Sequence, residues 1–122
     1  MKTIKYKEFK YKCPLYPVHY SITFTNDLMG YMFKKHGHDA IGAGAITAHK
    51  PSGGPVEVIF PLNPPVNYIG HEVAHLAQCI LGLSGVKFAF DNQEPLAYLM
   101  GHVLDDTMKA YKQRSKGKWK TL

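Results

Sequence analysis

The order of apolar and polar positions predicts a chain of alternating strands and helices. β-branched and aromatic residues at 18–25 are typical of a strand, and the Asn-Asp pair at 26–27 can cap a short helix at 28–35. Two further strands are expected at 40–49 and 56–60, because a Pro-Ser-Gly-Gly-Pro turn separates two segments of small and β-branched residues. Strands and helices in this mixed order indicate an α+β fold.

The second half of the chain predicts two long helices. From residue 66, apolar side chains recur at the roughly 3.6-residue period of a helix, and Gly82 or Gly85 is expected to end it. These apolar positions are Ile69, Val73, Leu76, Ile80 and Leu83. The Asp-Asn pair at 91–92 is expected to cap a second helix that runs to about residue 112. We therefore expect a small, mostly antiparallel sheet packed on these two helices.

Charge is distributed unevenly along the 122 residues, whose formal net charge is +6. Residues 1–12 carry five lysines and one glutamate, and residues 109–122 carry five lysines, one arginine and no acid. The residues between them are slightly acidic. We expect one domain, 1–122, with a basic N-terminal arm or edge strand at 1–12 and a basic tail at 113–122. Such ends allow binding to nucleic acid.

Composition and patterning exclude several classes of protein. The apolar stretches are far shorter than the roughly 18–20 residues that a membrane-spanning helix needs. The N-terminus alternates lysine with apolar residues where a signal peptide would have an uninterrupted apolar region. Cys13 and Cys79 are too few for a disulfide framework. We expect a reduced, cytoplasmic protein without a membrane partner, and its oligomeric state stays open.

A metal-ligand motif lies on the first of the two long helices. His71, Glu72 and His75 form an HExxH sequence. Side chains four residues apart share one face of a helix, so two imidazoles can converge on one cation while the glutamate stays nearby without ligating it. Both histidines fall on the face opposite the apolar stripe. The helix can therefore bury one side and present metal ligands on the other.

A catalytic zinc site needs a third protein donor as well as a position for water. Glu94 is the strongest candidate, because it lies in the first turn of the next helix, where the helix dipole favours a carboxylate. His102 lies two turns further along much the same face and is its main rival. Asp91 is a third candidate, although a capping role already accounts for it. The residues alone leave these alternatives open.

An HExxH helix followed by a glutamate on the next helix resembles the gluzincin branch of the zincin metallopeptidases. The stretch that begins at Glu94, Glu-Pro-Leu-Ala-Tyr-Leu-Met-Gly, is similar to the short metallopeptidase-like cores of small bacterial and bacteriophage proteins. The resemblance covers residues of about 56–105. It implies a zincin-like fold, a zinc ion held by His71, His75 and Glu94, and Glu72 as the general base. It also implies a bacterial or phage-infected cell.

The activity that this resemblance implies is zinc-dependent hydrolysis of peptide bonds. Zinc would activate water and polarise the scissile carbonyl, while Glu72 takes the proton from the water and delivers it to the leaving amine. Tyr98 or His102 is expected to supply a further donor to the oxyanion, because both recur with Glu94 on one helix face. A peptide substrate would add as an extended strand to a sheet edge, for which we expect the strand at 56–60.

Two other functions fit the same sequence. The first is a catalytically silent zincin-like protein that binds metal and acts through a protein partner, as a phage accessory protein would. The second is a nucleic-acid-binding protein that uses its basic ends while zinc stabilises the fold. Replacement of Glu72 by Gln separates the peptidase from both, because a peptidase would lose turnover but not metal.

Overall fold

The computed structural model describes residues 3–39, 42–49, 54–87 and 89–122. In chain order these residues form β1 (Lys5–Lys12), β2 (His19–Thr25), α1 (Leu28–His36), β3 (Ile46–Ala48), β4 (Val56–Pro61), α2 (Val66–Leu83), α3 (Glu94–Gln113) and β5 (Lys120–Thr121). The predicted α+β fold is therefore confirmed.

The strands form one mixed sheet in the order β3-β4-β2-β1-β5. β2 and β4 run parallel, whereas the other neighbouring strands run antiparallel, so the sheet is mostly antiparallel as predicted. The N-terminal segment is a strand rather than a loose arm, because β1 pairs with β2 from Tyr6 to Lys12. Part of the basic tail joins the sheet as β5, which pairs with the start of β1.

The two faces of the sheet are covered by different helices. Side chains alternate between the faces of a strand. On one face, α2 and α3 pack on the main core, whose strand residues include Ile22, Phe24 and Val58. On the other face, Tyr31 and Met32 of α1 pack on a smaller core. The sheet therefore separates the surface that carries α2 from the surface that carries α1.

The starts of the helices differ in their capping. The carboxylate of Asp27 accepts a hydrogen bond from the backbone N–H of Gly30, which confirms the predicted cap of α1. The predicted cap of α3 is wrong, because Gln93 is the N-cap and Asn92 pairs with Ala89 in an isolated bridge instead.

Within the described ranges, no helix combines the length and the apolar character needed to cross a bilayer.

The segment before β4 is described only in part. The strand expected at 40–49 is shortened to β3, and residues 40–41 lie outside the described residues. Residues 50–53, which include most of the expected turn, also lie outside them. α2 ends at Leu83, and Gly85 just beyond it adopts the left-handed conformation (φ 75°) in which glycine is favoured, as predicted.

β4 is an interior strand. It pairs with β2 on one side and with β3 on the other, and Val56–Phe60 are all buried. The prediction that 56–60 forms an exposed edge for a peptide is therefore wrong. β3 is instead the outer strand on this side of the sheet. It pairs with β4, which follows it in the chain, and it contacts α2.

Candidate metal centre

The two histidines of the HExxH motif are exposed side by side on α2. The Nε2 atoms of His71 and His75 are 3.1 Å apart, and their ring centroids are 4.7 Å apart. Zinc–nitrogen bonds of about 2.0–2.1 Å in a tetrahedral site place two nitrogen ligands about 3.3 Å apart. The spacing of the two imidazoles therefore fits a single zinc ion.

The opposite face of α2 is buried, as its apolar stripe predicts. The buried apolar residues are Ile69, Val73, Leu76, Ala77, Ile80 and Leu81. Gln78 and Gly82 are exposed together with the two histidines. Burial of the stripe against the sheet and α3 fixes the rotation of α2 about its axis, so the histidines face outwards.

Glu72 lies between the histidines in sequence but is buried, with 6% of its surface exposed. Its Oε1 accepts a hydrogen bond of 2.9 Å from the hydroxyl of Thr47, and its Oε2 lies 3.8 Å from Nε2 of His71. Sequence reasoning missed Thr47. Strand alternation places it on the face opposite Ile46 and Ala48, but only the pairing of β3 with β4 shows that this face meets α2.

A cleft of about 400 Å³ opens beside Glu72. One wall consists of the small residues 42–45, and the other consists of α2 side chains that include Tyr68 and His71. Gly44 approaches the ring of Tyr68 closely, because a Cβ there would overlap that ring in its present position. The cleft therefore lies between the edge of the sheet and the helix that carries the motif.

The structure does not bring the third predicted donor into a metal site. Glu94 is exposed at the start of α3, and Asp91 is exposed in the loop before it. Within the described part of the chain, no three side chains of His, Cys, Asp or Glu are grouped so that they could hold a metal. His71 and His75 are thus together, whereas Glu94 and His102 stay predictions for the third ligand.

Tyr98 and His102 form a pair on α3. Their rings are parallel to within 8° with centroids 6.4 Å apart, as expected for residues one turn apart on one face. Nε2 of His102 lies 3.4 Å from Oδ2 of the buried Asp106, which also accepts a hydrogen bond from the hydroxyl of Tyr20. Among the described residues, no hydrogen bond, ion pair or ring contact joins this pair to the HExxH residues. The predicted oxyanion role of Tyr98 or His102 therefore stays a prediction.

Tyr20 of β2 connects the sheet to Asp106 of α3 through a buried hydrogen bond. Burial of the Tyr20 side chain, together with its hydrogen bond to Asp106, raises the pKa of its hydroxyl far above the usual range. Tyr11 stacks on Tyr20 with ring centroids 5.6 Å apart, and burial also raises its pKa. Asp106 therefore links α3 to the sheet.

A second polar cluster lies on the other face of the sheet, around Glu57. The alternation of strand residues suggested the exposed face of β4 for Glu57, but the residue is buried, with 2% of its surface exposed. Its carboxylate accepts hydrogen bonds from the hydroxyls of Thr23 and Tyr31, from Nζ of Lys35 at 3.1 Å and from Nε2 of His36 at 2.6 Å. Burial alone would raise the pKa of Glu57, but these donors outweigh it and hold the pKa below its usual value.

Comparisons with known proteins identify no family for this chain. The chain matches no family model, no curated protein and no solved structure.

Proposed function

We propose that the protein is a zinc-dependent metallopeptidase. The observation that carries the proposal is the arrangement on α2, where two exposed imidazoles converge at 3.1 Å beside a buried glutamate and an open cleft. His71 and His75 would hold the zinc ion, with Glu94 or His102 as the third donor. Bound zinc would supply Lewis acidity toward water and the peptide carbonyl.

Glu72 is the general base of this proposal. Its Oε1 is engaged by Thr47, so Oε2, on the side of His71, is the oxygen that takes a proton from water. The same carboxyl group then delivers the proton to the leaving amine. The hydrogen bond from Thr47 holds the carboxylate in one orientation, so Thr47 is a positioning residue. A general base must be fixed within hydrogen-bond reach of its proton, which is what this contact supplies.

β3 is the strand to which a peptide substrate would bind. It is the outer strand of the sheet on the side of α2, and an exposed edge can pair with an extended peptide through backbone hydrogen bonds. The small residues 42–45 line the cleft just before β3 and leave space for substrate side chains. A peptide on β3 would therefore pass beside Glu72.

The experiment combines zinc analysis with turnover of a fluorescence-quenched peptide library. We expect Glu72→Gln to retain zinc and to lose turnover by about 10²–10⁴-fold, because it removes only the base. His75→Ala is expected to lose zinc and turnover together. Gln78→Ala is the matched control, because Gln78 is exposed on the same side of α2 and ligates nothing in this proposal.

Three outcomes discriminate the alternatives. Full zinc occupancy in both His71→Ala and His75→Ala would overturn the ligand assignment. Zinc binding without turnover in the wild-type protein would favour the catalytically silent protein that acts through a partner. Zinc loss in either Glu94→Gln or His102→Gln, but not in both, would identify the third donor.

A further inference from the structure

The two basic ends of the chain meet in the fold. Lys5 and Tyr6 of β1 pair with Thr121 and Lys120 of β5. The backbone N–H of Leu122 also donates to the carbonyl oxygen of Ile4 at 2.9 Å. Charges that are separated by more than a hundred positions in the sequence are therefore side by side at one edge of the sheet.

This surface, which we call the basic edge, consists of the exposed Lys5, Lys116, Lys118 and Lys120, and Lys7 is buried beneath it. Lys116, Lys118 and Lys120 line a recess of about 190 Å³ between β1 and the tail, together with Glu8 and the buried Lys7. The carboxylate of Glu8 is already paired, because it lies 3.2 Å from Nζ of Lys35. Within the described residues, none of the lysines of the basic edge forms an ion pair. Their charge is therefore not balanced by the protein.

The tail that carries these lysines is packed in place by its apolar side chains. Trp119 is half-buried against the main core, and Leu122 packs on the smaller core. Nζ of Lys7 lies 4.8 Å from the centroid of the Trp119 ring and donates to the carbonyl oxygens of Lys116 and Gly117. Lys118 and Lys120, on either side of Trp119, are exposed. The basic edge thus presents fixed positive charge.

We propose that the basic edge binds the phosphate backbone of a nucleic acid without reading its base sequence. Unpaired lysines on one edge match a repeating phosphate charge, and release of counterions supplies the affinity. An anionic membrane is disfavoured, because Trp119 and Leu122, the apolar residues of the tail, are packed against the two cores. This activity is independent of the HExxH residues.

The test measures binding of the intact protein to a fluorescein-labelled oligonucleotide of about 20 bases, as a single strand and as a duplex, over a range of salt concentrations. We expect affinity to fall linearly with the logarithm of salt concentration for both probes. Trp119 is the one tryptophan of the chain, so its fluorescence reports directly on the basic edge. Glu72→Gln is expected to bind like the wild-type protein.

The decisive variant is Lys118→Gln/Lys120→Gln. Its matched control is Lys87→Glu, because both changes lower the net charge of +6 by two. Lys87 follows α2, whose last residue Leu83 lies near His19, at the end of the sheet far from β5. We expect the double variant to reduce the salt slope by about 1.4 for the single strand and about 1.8 for the duplex, and the control to leave it unchanged.

Several results would overturn the proposal. These are no binding of the wild-type protein to either oligonucleotide at low salt, equal weakening by the double variant and the control, or an unchanged slope in the double variant. Tighter binding to phosphatidylserine-containing vesicles than to either oligonucleotide would overturn it in favour of a membrane. Thermal unfolding of each variant should match the wild-type protein, because Lys87, Lys118 and Lys120 are exposed.

Discussion

The protein contains two buried glutamates whose surroundings differ sharply. Glu57, on the α1 side of the sheet, accepts hydrogen bonds from four side chains. Glu72, on the α2 side, accepts one described hydrogen bond, from Thr47, and borders an open cleft and an exposed histidine. Burial is similar at the two residues, so burial alone does not distinguish them. They differ in the number of protein donors, which is four at Glu57 and one, among the described contacts, at Glu72.

The electrostatics of the Glu57 cluster support a structural role. Burial alone would lower the pKa of Lys35, but Glu57 and Glu8 outweigh it and raise the pKa. Hydrogen bonds from Thr23, Tyr31 and His36, together with the charge of Lys35, outweigh burial and lower the pKa of Glu57. Each group stabilises the charged form of the other, so neither is suited to exchange a proton near neutral pH. Glu72 has no lysine among its described contacts, only His71 at 3.8 Å, and it borders the cleft.

The largest expected effect is that of Glu57→Gln on stability. The substitution removes a buried charge that Lys35 and His36 contact, while Lys35 keeps its ion pair with Glu8, so we expect the free energy of unfolding to fall by about 1.5–3 kcal/mol. Urea denaturation at neutral pH measures it, and zinc binding should be unchanged. A loss below about 1 kcal/mol would show that the cluster is not a structural element.

Low pH should reduce the free energy of unfolding through Glu57. The folded pKa of Glu57 lies below its ordinary value of 4.5, so as the pH falls the unfolded chain takes up a proton before the folded protein does. Its stabilising contribution is complete above that ordinary value and is lost as the pH falls through the folded pKa. Unfolding measured from pH 7 to about pH 3 should show a smaller acid-induced loss in Glu57→Gln than in the wild-type protein. Equal losses would contradict this assignment.

A smaller effect is expected at the wall of the cleft. Gly44→Ala would push against the ring of Tyr68, which is partly exposed and can move, so we expect a loss of about 1 kcal/mol in unfolding free energy. In the double variant Gly44→Ala/Tyr68→Ala the Gly44 substitution should cost nothing further. Additive losses in this double-mutant cycle would show that the two residues do not constrain each other.

The smallest expected effect is that of His75→Ala on the metal-free protein. His75 is exposed, so removal of its ring should change the free energy of unfolding by less than about 0.5 kcal/mol in the presence of a chelator. Excess zinc should then stabilise the wild-type protein but not the variant. A large fall in the free energy of unfolding without metal would show that His75, like Glu57, has a structural role.

Local patterns in the sequence were sufficient to predict the helices and the placement of the HExxH histidines. The helical period of the apolar residues predicted which side of α2 is buried, and the spacing of His71 and His75 predicted that they meet. Both properties depend on contacts within a few residues. The cap of α1 at Asp27 is local in the same way.

Long-range pairing accounts for what the sequence did not predict. Strand alternation places Glu57 on one face of β4, but it does not indicate that α1 covers that face. The exposed edge next to α2 depends on how β3 pairs, which no local pattern specifies. The third metal donor depends on the rotation of α3 against α2, and for that reason Glu94 and His102 could not be separated from the sequence.

The parallel pairing of β2 with β4 has a consequence for the order of folding. Parallel neighbours need a crossover connection, and here α1 and β3 lie within it. The hydrogen bond that joins Tyr31 of α1 to Glu57 of β4 can form only after this connection has closed, at the cost of its loop entropy. We therefore expect the Glu57 cluster to form after the folding transition state and to govern the rate of unfolding rather than the rate of folding.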